Sequence, residues 1–268
     1  MSQMKYVHGY SPREAARLHD QAHTLSTLLH GGVRYASGRR VLEVGCGTGA
    51  QTVLLAANSP DAEITSIDRS SESIEMARNR VEATGLRNVS FAVADLFDLP
   101  FAANTFDDLF VCFVLEHLSD PLAALTQLRP VLKAGGTVTL IEGDHGSWYC
   151  HPQTAEASRT VACLIEIQKR LGGNSLIGRR LYPLLCAAGF RDVHVIPRMV
   201  YVDDSRPDLV EGFSKNTFIA MVEGVRAKAL SFGLIDETTW EKGIADMYRA
   251  TEQGGTFAYT FFRGMARA

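Results

Sequence analysis

Apolar positions along the chain alternate between two periods, and the alternation predicts the elements. Ser11-Pro12-Arg13-Glu14 reads as a helix start: Ser11 caps, Pro12 suits the first helical position and Glu14 closes a capping box. Ala15, Leu18, Ala22, Leu25 and Leu29 continue at helical spacing until Gly31-Gly32 ends the helix. From Arg40 the pattern becomes strand, turn, helix, repeated. The predicted strands are VLEV, EITSID ending at Asp68, VSFAVAD, the almost wholly apolar DDLFVCFVL, and TVTLIEG after the Gly135-Gly136 turn. Helices are predicted over 50–58, after Ser70/Ser71 with Ile74, Ala77 and Val81 on one face, and after Asp120-Pro121 with Leu122, Leu125 and Leu128. Strands alternating with helices imply right-handed crossovers and a mostly parallel, doubly wound α/β sheet.

The second half departs from simple alternation. Helices are predicted over 154–171 and 175–188, a strand in FRDVHVIPRMVYV, a mostly helical stretch over 206–253, and a last strand in TFAYTFFRGMA. No repeat, low-complexity tract or linker divides the chain. The expectation is one domain over 1–268, with an N-terminal lid and helix over 1–34, a core over 35–145 and a helical insertion over 203–253 before the last strand.

Composition narrows the function classes. The formal net charge is −3 and the basic residues are scattered, which argues against nucleic acid as partner. The five cysteines, Cys46, Cys112, Cys150, Cys163 and Cys186, form no CxxC pair and mostly sit in apolar runs, as reduced thiols of a cytoplasmic protein do. No segment has the length and apolarity of a membrane span, and the first residues lack a signal-peptide core. His19 and His23 stand four apart on a helix, and His145 and His151 are close in sequence. Neither pair has an ordered third ligand, so no metal is expected.

The stretch VLEVGCGTGAQT, Val41–Thr52, carries the clearest chemistry. A strand, a glycine turn and a helix N-terminus make a site for a polar ligand, where glycines let the backbone approach closely. Asp68 ends the next strand about twenty residues on, where a carboxylate accepts from ribose hydroxyls. On spacing alone the dinucleotide reading stands, since Gly45, Gly47 and Ala50 fit G-x-G-x-x-A.

The string Glu43-Val44-Gly45-Cys46-Gly47-Thr48-Gly49 resembles the first motif of class I S-adenosylmethionine (SAM)-dependent methyltransferases, an acid followed by three alternating glycines. Further signatures follow in order: Asp68, then Ala94-Asp95-Leu96, then FVLEHLSDP, then LKAGGTVTLIE. The resemblance covers about residues 35–145. It is nearest to the small-molecule branch that includes ubiquinone/menaquinone-biosynthesis methyltransferases, and it implies a Rossmann-like, mostly parallel seven-stranded sheet whose helical insertion covers the acceptor pocket. It also implies roles by position. Gly45, Cys46 and Gly47 bring backbone to the methionine part of SAM, and Glu43 orients that turn or reaches the amino group. Asp68 takes the ribose hydroxyls, Arg69 flanks the adenine, Asp95 accepts from the adenine amino group and Leu96 offers an amide. Phe113 and Val114 border the sulfonium, and Tyr10, in a segment with Tyr6 and His8, contacts the cofactor as part of a lid. A pyrophosphate would meet Glu43 unfavourably, which disfavours a dinucleotide oxidoreductase.

Acceptor chemistry belongs at the carboxyl ends of the strands. Glu142-Gly143-Asp144-His145 is expected to leave the fifth strand there. His145 is the candidate general base, with Asp144 as its partner or a substrate anchor. The alternative is a loop acid capping the next helix and a histidine bonded to backbone. Trp148 and Tyr149 are candidates to wall a pocket. His117, beside Glu116, is a weaker candidate base or a pocket-lining residue. Arg198, Met199 and Tyr201 precede the helical cover, and Phe213, Phe218, Met221 and Met247 within it suit core more than pocket.

The expected function is SAM-dependent methyl transfer, with S-adenosylhomocysteine as product, to a small organic acceptor of aromatic or alkaloid-like kind. A protein methyltransferase and a non-catalytic SAM-binding module are the alternatives. The N-terminal helix is a candidate surface for a homodimer.

Overall fold

The structure is a computed structural model and describes residues 24–268. Most of the predicted first helix, with Tyr6, His8, Tyr10, His19 and His23, therefore lies outside the described residues. Its end is α1 (Ser26–His30). The core then runs β1 (Arg40–Val44), α2 (Ala50–Asn58), β2 (Glu63–Asp68), α3 (Ser71–Ala83), β3 (Val89–Val93), β4 (Phe106–Cys112), α4 (Pro121–Leu128) and β5 (Leu132–His151). Next come α5 (Ala155–Arg170), α6 (Leu181–Ala187) and β6 (Arg191–Val202). A continuous helical stretch, α7 (207–223), is followed by α8 (Arg226–Ser231), α9 (Glu237–Arg249) and β7 (Thr256–Arg267).

The strands form one seven-stranded sheet in the order β3-β2-β1-β4-β5-β7-β6. The β1–β2, β1–β4, β2–β3 and β4–β5 pairs are parallel, and β7 enters antiparallel between β5 and β6. Only β7 runs against the others, so the doubly wound, mostly parallel sheet read from the sequence is present. Alternation along each strand feeds two cores. Val41, Phe110, Ile141 and Phe261 face a large cluster with α1, α2, α5 and the helices between β6 and β7. Leu42, Val44, Leu109, Val111 and Leu140 face the opposite cluster with α4 and α6.

Local sequence chemistry starts the helices. Ser70 accepts from the Ser73 amide, Asp120 from Ala123, Thr154 from Ala157 and Asp236 from Thr239. Two expectations need correction. The 175–188 segment is not one helix: a 3-10 turn over Ile177–Arg180 precedes α6. Strand β5 does not end near residue 143 but runs on to His151, because β7 offers it a partner as far as Thr256.

The helices between β6 and β7 are fastened to α5. The Thr154 hydroxyl donates to Asp246 Oδ2 at 2.7 Å, and Trp240 and Met247 of α9 are buried in the same cluster as Val161 and Leu164 of α5. Gly243 is the point of closest approach. A Cβ there would lie 2.1 Å from Thr160 Oγ1 and 2.7 Å from the Glu156 carbonyl oxygen. Alanine would gain up to about 1 kcal/mol of helix propensity but incur an overpacking cost of about 1–3 kcal/mol. Gly243→Ala is expected to lower the urea midpoint by an amount worth about 1–2 kcal/mol; a rise would show that the two helices separate freely.

Candidate active site

Strand β1 ends in the glycine turn. Gly45, Gly47 and Gly49 have φ values of 72°, 51° and 78°, which L side chains rarely adopt. A Cβ on Gly45 would sit 2.5 Å from Val114 Cγ2, and one on Gly49 would sit 2.8 Å from the Ala77 Cα. The turn therefore lies tight against the end of β4 on one side and α3 on the other. The Gly45 and Cys46 amides donate to the Ile67 carbonyl at 2.8 and 3.0 Å. Asp68 completes the hold: its Oδ2 accepts from the Gly47 amide and its Oδ1 from the Ser70 amide, both at 2.9 Å. Each carboxylate oxygen retains a further lone pair for a ligand hydroxyl.

Glu43 lies beneath this turn, 2% exposed, and its Oε2 accepts from the Ser66 hydroxyl at 2.5 Å. Burial lifts its carboxyl to about 7; the Ser66 hydroxyl opposes the lift and the nearby Asp68 charge adds to it. Burial also raises the Cys46 thiol, with Glu43 and Asp68 adding to the effect. Arg69 and Asp95 are exposed, and Leu96 is half-buried. Asp95 Oδ1 accepts from the Phe97 amide at 2.9 Å, which holds the turn after β3. The structure thus gathers Glu43, Gly45, Cys46, Gly47 and Asp68 at one strand edge, with Val114 against them. The residues fit a cationic, ribose-bearing group: hydroxyl acceptors at Asp68, carboxyls of one sign, and a turn with no room for larger side chains.

Beyond Cys112 the chain turns sharply. Phe113 has φ 57° and Leu115–His117 form a 3-10 turn. Glu142 of β5, fully buried, secures that turn, its Oε1 accepting from the Val114 and Leu115 amides at 3.0 and 2.7 Å. Burial raises the Glu142 carboxyl well above the ordinary range, and the Glu116 charge raises it further. Glu116 Oε2 accepts from Gln168 Nε2 of α5 at 3.0 Å, and the half-buried His117 ring lies 3.7 Å from the same carboxylate.

The structure separates Asp144 from His145. Both sit within β5, where adjacent side chains point to opposite faces. Asp144 is buried and holds Arg179 through two bonds, Nε to Oδ2 at 2.5 Å and Nη2 to Oδ1 at 2.8 Å. His145 turns the other way. Its Nδ1 lies 2.7 Å from the Tyr259 hydroxyl, and its backbone amide donates to the Ser175 carbonyl. A wide bulge makes this contact: the ladder passes from Asp144 opposite Thr260 to Tyr149 opposite Ala258, leaving residues 145–148 to face Tyr259. The partner proposed for His145 from sequence is thus replaced by Tyr259, and Asp144 by its geometry anchors Arg179.

Aromatic side chains enclose the pair. Phe218 lies 6.2 Å from the His145 ring and 5.6 Å from Tyr259, and Phe213, Phe257 and Phe261 complete the cluster. Phe113 approaches Phe261 at 5.8 Å, which links this cluster to the end of β4. Trp148 packs against Phe218, whereas Tyr149 is exposed and walls nothing. Met199 and Tyr201 of β6 also face solvent. Sequence reasoning missed Tyr259 and Arg179. The alternation Phe257, Tyr259, Phe261 was the available signal for the first, but only the insertion of β7 beside β5 brings it to His145.

Glu43 makes stability depend on pH. Between the ordinary carboxyl value of about 4.5 and about 7, native Glu43 keeps a proton that the unfolded chain has released. Native stability therefore falls as pH rises through that window and levels above it, by on the order of 3 kcal/mol for a shift of this size. Denaturant unfolding of the protein without cofactor between pH 5 and 8 is expected to show this decline, and Glu43→Gln is expected to flatten it. An equal slope in both proteins would place Glu43 among ordinary solvated carboxyls.

Comparison with known proteins agrees with this arrangement. A family model described as a methyltransferase domain matches residues 36–189. The chain is 32% identical over 207 residues to an uncharacterized 37.1 kDa protein in a transposon of Streptomyces fradiae, covering 76% of this chain and 59% of that protein. It is 38% identical over 112 residues to a demethylmenaquinone methyltransferase of Staphylococcus aureus, covering 41% of this chain and 45% of that one. The chain thus spans about half to three-fifths of the length of these relatives. A crystal structure of a putative methyltransferase from Bacillus halodurans shares the fold at 16% identity, with a TM-score of 0.56 over 91% of this chain and 97% of that one. Glycine turn, strand-end aspartate, sheet order and matched domain agree: the chain belongs to the methyltransferase-domain family, of the class I fold whose cofactor is SAM.

Proposed function

We propose that the protein transfers the methyl group of SAM to a small organic acceptor with an aromatic or otherwise apolar body. The observation that carries this reading is the depth of the His145–Tyr259 pair. His145 is 4% exposed and Tyr259 2%, under a cover of Phe213 and Phe218 from α7. A folded protein or a nucleic acid strand is too large to reach groups so enclosed, whereas a small apolar molecule replaces ring contacts already there. The scattered basic residues also supply no stripe for a polyanion. The demethylmenaquinone methyltransferase among the relatives is named for a small-molecule acceptor.

The roles follow from position. A bound SAM sulfonium supplies a methyl group already activated for in-line displacement. Asp68 accepts from the ribose hydroxyls while its bonds to the Gly47 and Ser70 amides keep it aimed. Glu43 and the Gly45–Gly47 backbone receive the methionine end; Arg69, Asp95 and Leu96 lie along the adenine; Phe113 and Val114 exclude water beside the sulfonium. Tyr10 belongs to the segment before α1 and is a lid contact in this reading. His145 takes the acceptor's proton, with Tyr259 fixing its ring through Nδ1. Asp144 orients Arg179 at the rim of the same strand edge, and His117 lines the cofactor side.

Isothermal titration with SAM tests the cofactor half. Loss of a carboxylate that accepts from ligand hydroxyls costs about 1.5–3 kcal/mol, so Asp68→Ala is expected to weaken SAM about ten- to hundredfold. Unchanged affinity would remove Asp68 from the ribose. Incubation of the protein with methyl-labelled SAM and fractionated cell extract tests the acceptor half: label is expected in small molecules, and label confined to protein or RNA would overturn the acceptor class. With that acceptor, His145→Ala is expected to lower turnover about 100- to 10,000-fold while SAM affinity holds. Near-normal turnover would make His145 a packing residue.

A further inference from the structure

A cavity opens at the opposite edge of the sheet from the glycine turn. Its volume is about 300 Å³, and its wall includes Arg34, Tyr35, Arg39, Asp108, Thr139 and Arg263. Arg39 directly precedes β1 and Asp108 opens β4, while the glycine turn follows the far end of β1. A five-residue strand at about 3.3 Å per residue separates the two places by roughly 15 Å.

The wall carries more positive charge than it can balance. Arg39 is spent on Asp108, with Nε to Oδ2 and Nη2 to Oδ1 both at 2.7 Å, and the Thr137 hydroxyl occupies the same carboxylate at 2.5 Å. Arg34 is exposed and has no acidic partner among the described residues. Arg263 is the unusual group. It is 8% exposed, Nη1 donates to the Gly31 carbonyl at 2.7 Å, and buried Nε has no hydrogen-bond partner. Its charged neighbour is Arg198, which repels it, and burial disfavours its charge still more strongly. A guanidinium nevertheless stays protonated, so a buried charge is left without a counter-ion. Tyr35 lines the same cavity and is also 8% exposed, with its hydroxyl beside Thr139. A buried guanidinium without a counter-ion thus borders one cavity with an excess of guanidinium groups.

We propose that this cavity binds a small oxyanion, a phosphate or carboxylate group carried by a metabolite, between Arg263, Arg34 and Tyr35. The oxyanion supplies the counter-charge that Arg263 lacks, with Tyr35 as a neighbouring hydroxyl. The site is distinct from the cofactor turn and does not depend on methyl transfer. Its occupant bridges residues 32–36, the joint between α1 and β1, to β7. Binding therefore stiffens the connection between the N-terminal segment and the sheet.

Thermal unfolding and isothermal titration with inorganic phosphate and with succinate, against sodium chloride at matched ionic strength, test this. A saturable rise in Tm of about 3–6 °C with one of the two anions, beyond the chloride control, is expected. Which anion acts identifies the group the site takes. Arg34→Gln, at an exposed position that leaves the fold intact, is expected to weaken that anion at least about tenfold, and Tyr35→Phe a few-fold, with SAM affinity unchanged. No specific response to either anion would overturn the proposal, leaving the donors to water. So would equal anion affinity in the wild type, Arg34→Gln and Tyr35→Phe, which would place binding elsewhere.

Discussion

The antiparallel pairing of β7 between β5 and β6 is the constraint on which the functional edges of this protein depend. Without it β5 would stop where the parallel sheet stops. With it β5 extends to His151, and a bulge over residues 145–148 opens opposite Tyr259. The bulge breaks the ladder but keeps its polar groups satisfied: the Ser147 hydroxyl accepts from the Thr260 amide at 2.9 Å and donates to the Asp144 carbonyl at 2.7 Å. His145 can therefore leave the strand plane without an unpaired backbone group as the cost. The same strand carries Tyr259 toward His145 and Arg263 toward the far cavity, four residues apart on one face.

Electrostatics divides the molecule in a complementary way. Glu43, Glu142 and Glu116 gather near the carboxyl ends of the strands, where burial pushes Glu43 and Glu142 toward their neutral forms. Arg34, Arg39 and Arg263 gather at the amino ends. An oxyanion would thus meet an edge of opposite sign at the amino ends. That local excess does not reveal itself in the overall charge of −3.

The cover over the His145–Tyr259 pair has its own local character. Val210–Ile219 within α7 is wound as a π-helix, and the Thr217 hydroxyl donates to the Gly212 carbonyl five residues back at 2.7 Å. π-helical windings are uncommon and often mark functional sites. This one places Phe213 and Phe218 on the same aromatic cluster, so the widened turn sets which rings lie over Tyr259 and His145.

Much of the core was legible in the sequence because its signals are local. The glycine turn, the acid within it, Asp68 at a strand end and the caps at Ser70, Asp120 and Thr154 each act over a few residues, and strand–helix alternation then leaves few topologies. The partners of Asp144 and His145 were not legible. Asp144 and His145 are neighbours in sequence, yet strand geometry sends them to opposite faces, one to Arg179 and the other to Tyr259. Tyr259 stands more than a hundred residues from His145, and no local pattern states which strand lies beside which. The sequence alone determined the doubly wound core and a ribose-binding turn, through short-range backbone chemistry, and its resemblance to a family supplied the cofactor class. Only the tertiary structure decided how β5 ends, what His145 touches and where Arg263 is left without a counter-ion, because those depend on strand order and on burial.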